Sequence, residues 1–372
     1  MKGSRKTQLI ESVMEVVRIV LGMLIAYAVA LIILMLISDD PVYIVRQFIL
    51  GPFSSPRRIG SMINLATPFI ICGLSMCFMY AVNKFNLIGE SIFMLAGCVA
   101  TLVGIKLGDG VPMAVMVPLL LVIGAVVGAA LSFVPAIMDR SLKANVVVVS
   151  LMLNSVVAQI ALWILRYHMR DNTISFIGSY MTPASMQLPK LFGKMKVGSG
   201  IIIALILVVI ISILFYKTSF GWKMRLVGDN PRFANAVGFS TLGVSFAAQL
   251  LGGAMAGIGG VTEIMNSYQR FQWTASTGHG FDGLLVAVLA RKNPALVPIG
   301  ALFLAYIRIG ADVVNTSGDI PYEFVTVIQG IIILLVAAES FLSGTKKKLI
   351  YRQVQKEKEE EEEKARKEQE AK

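Results

Sequence analysis

The sequence predicts an all-α, polytopic membrane protein with about ten transmembrane helices and both termini in the cytoplasm. Of its 372 residues, 56% are hydrophobic and 15% are charged, whereas about 25% of residues are charged in ordinary soluble domains. The charges also concentrate at the carboxyl end, because residues 346–372 hold 10 of the 34 Lys and Arg residues. A soluble globule of this length needs more polar surface, which excludes a soluble enzyme, a nucleic-acid binder and a disordered chain.

Ten apolar segments account for the predicted spans, because a helix needs about 20 apolar residues to cross the hydrocarbon core. The first is too long for a signal peptide and has no cleavage site after it, so we expect a retained anchor. The eighth rises only about 22 Å and is predicted to be a broken or re-entrant helix. The segments lie near residues 16–37, 61–82, 86–106, 112–134, 144–165, 199–216, 241–263, 276–290, 294–312 and 322–343.

Basic residues in the connecting loops orient these spans, since Lys and Arg concentrate on the cytoplasmic side of membrane proteins. With the amino terminus inside, the inner loops hold 9 Lys and Arg in 39 residues, over 83–85, 135–143, 217–240 and 291–293. The outer connections hold 9 in 82 residues, over 38–60, 107–111, 166–198, 264–275 and 313–321. The net charge of +11 therefore reflects membrane-flanking cations. The predicted organisation is a cytoplasmic amino terminus (1–15), a transmembrane domain (16–345) and a charged cytoplasmic tail (346–372).

The sequence lacks the common catalytic motifs. It contains no G-x-x-x-x-G-K-[ST] for binding ATP, no H-E-x-x-H for zinc and no G-x-S-x-G nucleophile turn. The stretch around Asp282 superficially resembles an aspartyl intramembrane protease, but the spacing is wrong. The cysteines lie in apolar runs and are expected to be buried hydrophobes rather than metal ligands, so we predict no metal site and no enzyme. The classes of function that remain open are transport across the membrane and scaffolding.

The loop over 217–240 contains a predicted short helix. Asp229 or Asn230 suits its amino-terminal cap, Pro231 its first position, and Gly238 the position just past its end. Six or seven residues are too few for a stable isolated helix. Such a helix either docks on another protein or lies on the membrane surface between two spans.

Three motifs in order together resemble the permeases of ABC importers. The loop carries G-x-x-x-R-x-x-G-x-N-P-x-x-A-x-x-x-G from Gly221 to Gly238, and the other motifs run over 85–91 and 278–294. Within that group the chain resembles the branch for branched-chain amino acids, simple sugars and nucleosides, and it is most similar to the nucleoside or simple-sugar permeases. The resemblance covers roughly 16–343. Ser91 and Asp229 depart from the family pattern, and the cargo stays open between nucleosides and simple sugars.

The resemblance implies that 217–240 is a coupling loop and that 230–238 form a coupling helix in a groove of a separate ATP-binding subunit. The chain itself then needs no cofactor, because ATP and Mg²⁺ bind to that partner. The other implied partners are a second permease subunit, an extracytoplasmic substrate-binding protein docking on outer loops, and membrane lipid. The basic residues of the loop serve equally well as membrane-flanking anchors. The candidate coupling residues are Arg225, Asn230, Pro231, Arg232 and Gly238.

Polar side chains inside the spans are candidates for the substrate pathway, since such groups are expensive in hydrocarbon and face the bundle interior. Asn86 and Glu90 are the leading pair because i, i+4 spacing places them on one helix face. Phe85 and Trp163 offer aromatic rings for stacking a base or a sugar. The alternative is that the amides and hydroxyls are interhelical hydrogen bonds. The candidates are Phe85, Asn86, Glu90, Asn154, Gln159, Gln249 and Asp282.

The sequence therefore favours the membrane-spanning permease of an ATP-driven importer for nucleosides or simple sugars. Two other classes stay open. An ion-coupled secondary transporter would lose uptake with the proton or sodium gradient and ignore mutations of the ATPase. A membrane scaffold would need no polar pathway.

Overall fold

The structure, a computed structural model, describes residues 41–317 and Gly330, and the description below is confined to them. Within residues 41–317 the chain forms eleven α-helices and one two-stranded antiparallel hairpin. The helices are α1 (Pro41–Leu50), α2 (Pro56–Ala81), α3 (Gly89–Leu107), α4 (Met113–Leu142), α5 (Val146–His168), α6 (Gly200–Lys217), α7 (Ser219–Asp229), α8 (Pro231–Ala236), α9 (Thr241–Ser267), α10 (His279–Leu289) and α11 (Val297–Ser317). The hairpin consists of β1 (Lys190–Phe192) and β2 (Val197–Gly198).

Seven of the described helices are long and apolar enough to cross a membrane: α2, α3, α4, α5, α6, α9, and α11 with the 3₁₀ turn before it. They coincide with the predicted second to seventh and ninth spans. The eighth, α10, has 11 residues and rises about 16 Å, so it is a half-length helix, as its short apolar run predicts. The predicted spans 16–37 and 322–343, the amino terminus and the charged tail lie outside the described residues, and the total of ten spans stays a prediction.

Three segments predicted as loops or spans differ in the structure. The outer connection 38–60 contains α1, which begins at Pro41 and is too short to span. The first half of the inner loop 217–240 is also helical, because the Thr218 hydroxyl caps α7 by accepting a hydrogen bond from the Gly221 amide. The third span begins at Gly89 rather than at residue 86.

The central helix α9 packs closely against α4 through glycines. A methyl group on Gly257 would clash with the backbone carbonyl of Gly124, and one on Gly253 would clash with Ser132. The small-residue stripes Gly124-x-x-x-Gly128 of α4 and Gly253-x-x-x-Gly257 of α9 therefore pack within the chain. In the most apolar stretch of α2, 78% of residues are buried, against 17% in α5. The helix α5 thus presents most of its surface outward.

The outer loop 169–199 is held to the bundle by polar contacts. Arg270 donates to Asp171 at 2.6 Å, and Thr173 donates to the same carboxylate through its amide and its hydroxyl. Hydrogen bonds from Thr173 and then from Arg270 lower the pKa of Asp171 to about 2. Asn64 of α2 binds the hairpin by accepting from the Gly198 amide and donating to the Lys196 carbonyl.

Candidate functional site

The chain between α2 and α3 is non-helical although it lies deep among the helices. The Asn86 amide nitrogen donates to Ser132 of α4 at 3.1 Å and to Gln249 of α9 at 3.2 Å. Ser132 lies about 15 Å along α4 from its last residue, Leu142, and Gln249 about 12 Å along α9 from its first residue, Thr241. Asn86 and Ile88 are buried among these helices, and irregular backbone in a membrane protein is tolerated only where it is buried in protein or lines a water-filled cavity.

Side chains from α5 satisfy the backbone of this segment. Asn154 donates to the Leu87 carbonyl at 2.9 Å and accepts from the Ser91 hydroxyl at 2.7 Å, while the Ser150 hydroxyl accepts from the Leu87 amide at 3.0 Å. Ser150 and Asn154 share one face of α5, as their spacing predicts. Both act here as interhelical hydrogen-bonding groups, which take the place of the missing helical partners of residues 87–91.

Asn86 and Gln249 belong to the same cluster of polar side chains, which we call the polar layer. Both are fully buried, and the side-chain oxygen Oδ1 of Asn86 accepts from the Ile88 backbone amide at 3.3 Å. Ser132, which the sequence analysis missed, joins them by donating to the Gln249 carbonyl at 2.9 Å. Its position in an apolar span next to a small-residue stripe was the available signal.

Glu90 joins the start of α3 to the start of α10. Its Oε1 accepts from the Ser276 hydroxyl at 2.5 Å, the Thr277 hydroxyl at 3.3 Å and the Gly278 amide at 2.7 Å. Its Oε2 accepts from the Gly280 amide at 2.7 Å. A carboxylate is favourable at a helix amino terminus because the first amides have no helical partner. Asn86 and Glu90 thus lie in one polar region, but they bind different partners.

Asp282 lies in the first turn of α10 and pairs with Arg308 of α11 at 2.5 Å. The Arg308 guanidinium also lies 5.2 Å from the ring centre of Phe69. His279 Nδ1 is 3.7 Å from Asp282 Oδ2, and neither atom has a hydrogen-bond partner among the described residues. Sequence reasoning missed Arg308, although a charged residue within the apolar segment 294–312 was itself a signal.

The last two pathway candidates lie apart from this layer. Phe85 is half-buried and packs edge-on against Tyr80, with ring centres 5.0 Å apart. Gln159 faces outward on α5, on the opposite side of the helix from Asn154. The structure therefore brings together five of the seven candidates around the starts of α3 and α10: Asn86, Glu90, Asn154, Gln249 and Asp282.

The predicted short helix in the inner loop is present as α8. The Asn230 side chain accepts from the Phe233 amide at 3.0 Å, Pro231 takes the first position, and Gly238 has a φ of +90°. Every residue of α8 except Ala234 is exposed, including Phe233 at 52%. A helix of this length with an exposed phenylalanine is unusual unless something covers it.

The other two coupling candidates have different surroundings. Arg225 lies on α7, donates to the Gly221 carbonyl at 3.4 Å, and stands over the Tyr216 ring at 5.2 Å. Arg232 is exposed on α8. Helix α7 itself packs closely against the carboxyl end of α2, since a methyl group on Gly228 would clash with the carbonyl of Ala81.

Residues 58–337 match the family described as the permease component of branched-chain amino acid transport systems. This match covers well over half of the chain, so the chain belongs to that family. It confirms the resemblance drawn from the three sequence motifs. The chain is an ABC-transporter permease and a multi-pass protein of the cell membrane.

Individual relatives narrow the branch of the family. The glucose ABC transporter permease protein TsgB13 of Haloferax volcanii is 28% identical over 332 residues, which are 87% of each chain. The nucleoside ABC transporter permease protein NupB of Lactococcus lactis is 28% identical, covering 86% of this chain and 90% of its own length. The guanosine ABC transporter permease protein NupP of Bacillus subtilis is 29% identical, covering 80% of this chain and 87% of its own length. All three are transport components rather than enzymes.

Proposed function

We propose that this chain is the membrane-spanning subunit of an ATP-driven importer that translocates nucleosides, with simple sugars as the second choice of cargo. Family membership and the named cargo of the relatives support the class. The exposed, capped helix α8 carries the proposal that energy enters from a separate ATPase subunit. A six-residue helix with an exposed phenylalanine is expected if residues 230–238 bind in a groove of that partner.

In the proposed mechanism the ATPase subunits act on the helix bundle through α8. Closure of two ATPase subunits would push on α8, and the bundle would alternate between outward and inward access. Asn230, Pro231 and Gly238 would set the shape of the contact, while Arg225 and Arg232 would contribute charge. Both termini would lie in the cytoplasm, on the same side as the ATPase.

The test replaces the two residues that shape the ends of α8. Pro231→Ala combined with Gly238→Val should abolish ATP-dependent uptake of radiolabelled nucleoside while membrane levels stay normal. Gly108→Val is the matched control, because Gly108 also has a positive φ, of +62°, and open space around it, but lies at the other end of the bundle. Unchanged uptake in the double variant would remove the coupling assignment.

The same assay separates the alternative classes. Uptake that disappears when a protonophore or sodium ionophore is added, and survives loss of the ATPase, would identify an ion-coupled secondary transporter. A scaffold would show no uptake in any condition. Co-purification with an ATP-binding subunit, a second permease and an extracytoplasmic binding protein would support the complete complex, with the binding protein docking on segments such as 38–60 and 166–198.

We further propose that the pathway candidates play two different roles. Asn86, Glu90, Asn154 and Gln249 hold the starts of α3 and α10 in place, and Asp282 does so through Arg308, so that these two elements can border the pathway. Phe85 lies apart from this layer, where it packs edge-on against Tyr80. Gln159 has no such structural partner and contacts the cargo.

A further inference from the structure

The hairpin over residues 190–198, which we call the basic hairpin, is held firmly against the end of the bundle that is predicted to be outer. Just before it, the Leu188 amide donates to the Met265 carbonyl of α9 at 2.8 Å. At the start of α2, a methyl group on Gly60 would clash with the backbone carbonyl of Met195. The basic hairpin therefore has a fixed position relative to α2 and α9.

Helix α6 sets the height of the basic hairpin relative to the membrane. This helix has 18 residues and rises about 27 Å, which is close to the hydrocarbon thickness of about 30 Å. Its first residue, Gly200, therefore lies near the boundary between acyl chains and headgroups. Val197 precedes Gly200 by three residues, which span at most about 11 Å, and it pairs with Phe192 across the hairpin. The basic hairpin thus lies at the level of the lipid headgroups.

The surface of α6 that begins at the base of the hairpin is apolar. Between residues 201 and 215 every exposed side chain of this helix is aliphatic: Ile202, Leu205, Ile206, Val209, Ile210 and Ile213. The outward face of α5 differs, because it carries Ser155 and Gln159. An outward face without polar groups is suited to contact with acyl chains. We therefore expect lipid directly beside the basic hairpin.

The basic hairpin carries cations that the described part of the chain does not neutralise. Lys194 and Lys196 are exposed, and their ammonium groups form no hydrogen bond or ion pair with any described residue. Lys190, in contrast, donates to the Asn266 carbonyl of α9 at 3.3 Å. Residues 172–228 contain no Asp or Glu. Two lysines are thus available to an anionic partner.

Exposed apolar side chains lie next to these lysines. Leu191 is 40% exposed and Phe192 59% exposed. Elements that lie at a membrane surface combine Lys or Arg with Leu, Phe or Trp in this way, because the apolar groups enter the boundary of the acyl chains while the cations face the phosphates. The composition of the hairpin therefore agrees with its height.

We propose that the basic hairpin binds anionic phospholipid headgroups and anchors the outer loop 169–199 to the membrane surface. Lys194 and Lys196 attract the lipid phosphates, and Leu191 and Phe192 enter the boundary below them. The position beside the apolar face of α6 favours lipid over a protein partner. The rest of the outer connections stays available to the extracytoplasmic binding protein. This inference depends on the membrane location of the chain and not on its cargo or its ATPase.

Fluorescence quenching by spin-labelled lipid tests the contact directly. Around Gly193, at the turn of the hairpin, an added methyl group would have no contact within 4 Å, so Gly193→Cys can carry a fluorescent label. The three native cysteines are buried and give little background. In nanodiscs, phosphatidylglycerol with a nitroxide near the top of its acyl chain should quench this label more than phosphatidylcholine with the same nitroxide. The preference should be about fivefold for each of the two lysines at low salt, and high salt should reduce it.

Variants separate the two kinds of contact. Lys194→Gln combined with Lys196→Gln should bring the preference for phosphatidylglycerol close to about 1 without changing the quenching by phosphatidylcholine. Phe192→Ser should lower the quenching by both lipids, because it removes the group that enters the boundary. Gly110→Cys is the matched control: it is an exposed glycine with open space on the same side of the bundle, next to Asp109. A label there should show no preference for the anionic lipid.

Each outcome supports or overturns the lipid contact. Equal quenching by the two lipids at position 193 would show that the hairpin does not select anionic headgroups. A preference that persists in the double glutamine variant would contradict the role of the lysines. If neither lipid quenches the label and the extracytoplasmic binding protein shields it, the hairpin is a protein-docking element and the proposal is wrong. The proposed importer stands in all three cases, because it is tested by ATP-dependent uptake and not by lipid contact.

Discussion

The contact between Glu90 and the start of α10 gives the most direct test of this architecture. Glu90→Gln keeps the size of the side chain but replaces one acceptor oxygen by an NH₂ group. With the amide oxygen in the Oε1 position, the NH₂ group faces the Gly280 amide, which in the wild type donates to Oε2 at 2.7 Å. With the amide turned over, the three donors on Oε1 lose their acceptor instead. Either orientation places a donor against a donor.

The expected loss follows from the bonds that remain. A hydrogen bond to a charged group contributes about 1.5–3 kcal/mol, and a buried donor left without a partner costs about 1–3 kcal/mol. In the orientation that keeps the three bonds to Oε1, the bond from the Gly280 amide is lost. The other three donors then bind a neutral oxygen instead of a charged one. We therefore expect the start of α10 to be destabilised by about 3 kcal/mol, which is about a 100-fold increase in its opening equilibrium.

Hydrogen exchange of the purified protein measures this opening at the Gly278 and Gly280 amides. Their exchange should accelerate about 100-fold in Glu90→Gln. Asp139→Asn is the control: Asp139 is also a buried carboxylate in the bundle, but it pairs with Lys84 at 2.7 Å and not with the start of α10. It should leave the exchange of both amides nearly unchanged. Equal exchange in wild type and Glu90→Gln would refute the argument that Glu90 holds α10.

Three further predictions concern other parts of the structure. Asp171→Asn should lower thermal stability at pH 7, and the difference from wild type should shrink as the pH falls from about 4 towards the folded-state pKa of about 2, since a carboxylate with a lowered pKa stabilises only while it is ionised. Gly257→Ala should reduce the yield of folded protein because its methyl group meets the backbone of Gly124, whereas Gly259→Ala, which has only ordinary contacts, should be tolerated. Asn230→Ala removes the cap of α8, at about 1 kcal/mol, and should lower ATP-dependent uptake without changing membrane levels.

Local chemistry made much of the fold predictable. The apolar runs located the described spans, the short eighth run indicated a half-length helix, and Asn-Pro followed by Gly238 predicted α8 with its cap. These features depend on residues close together in the chain. Their physical causes, namely hydrophobic length, a fixed proline φ and a glycine at positive φ, are visible in sequence.

The arrangement of the polar layer was not predictable in the same way. Residues 86–88 read as the start of an apolar span, and they stay non-helical because Ser150 and Asn154 of α5 replace their helical partners. The partners of Glu90 lie 186 to 190 residues further along the chain. Such pairing depends on which helices meet, and periodicity within one segment does not contain that information.

These contacts also distinguish two kinds of polar group at membrane depth. A polar side chain whose partners lie within the chain holds broken helices together, and Asn86, Glu90 and Asn154 do so. A polar side chain at the same depth with no such partner needs water, cargo or another subunit, and Gln159 is in this position.

The carboxyl end of α2 connects the coupling helix α8 to the polar layer. Helix α7 leads into α8 and touches α2 at Ala81, immediately before the non-helical segment. A displacement of α8 by a partner therefore has a continuous path of backbone contacts to the start of α3, and through Glu90 to α10.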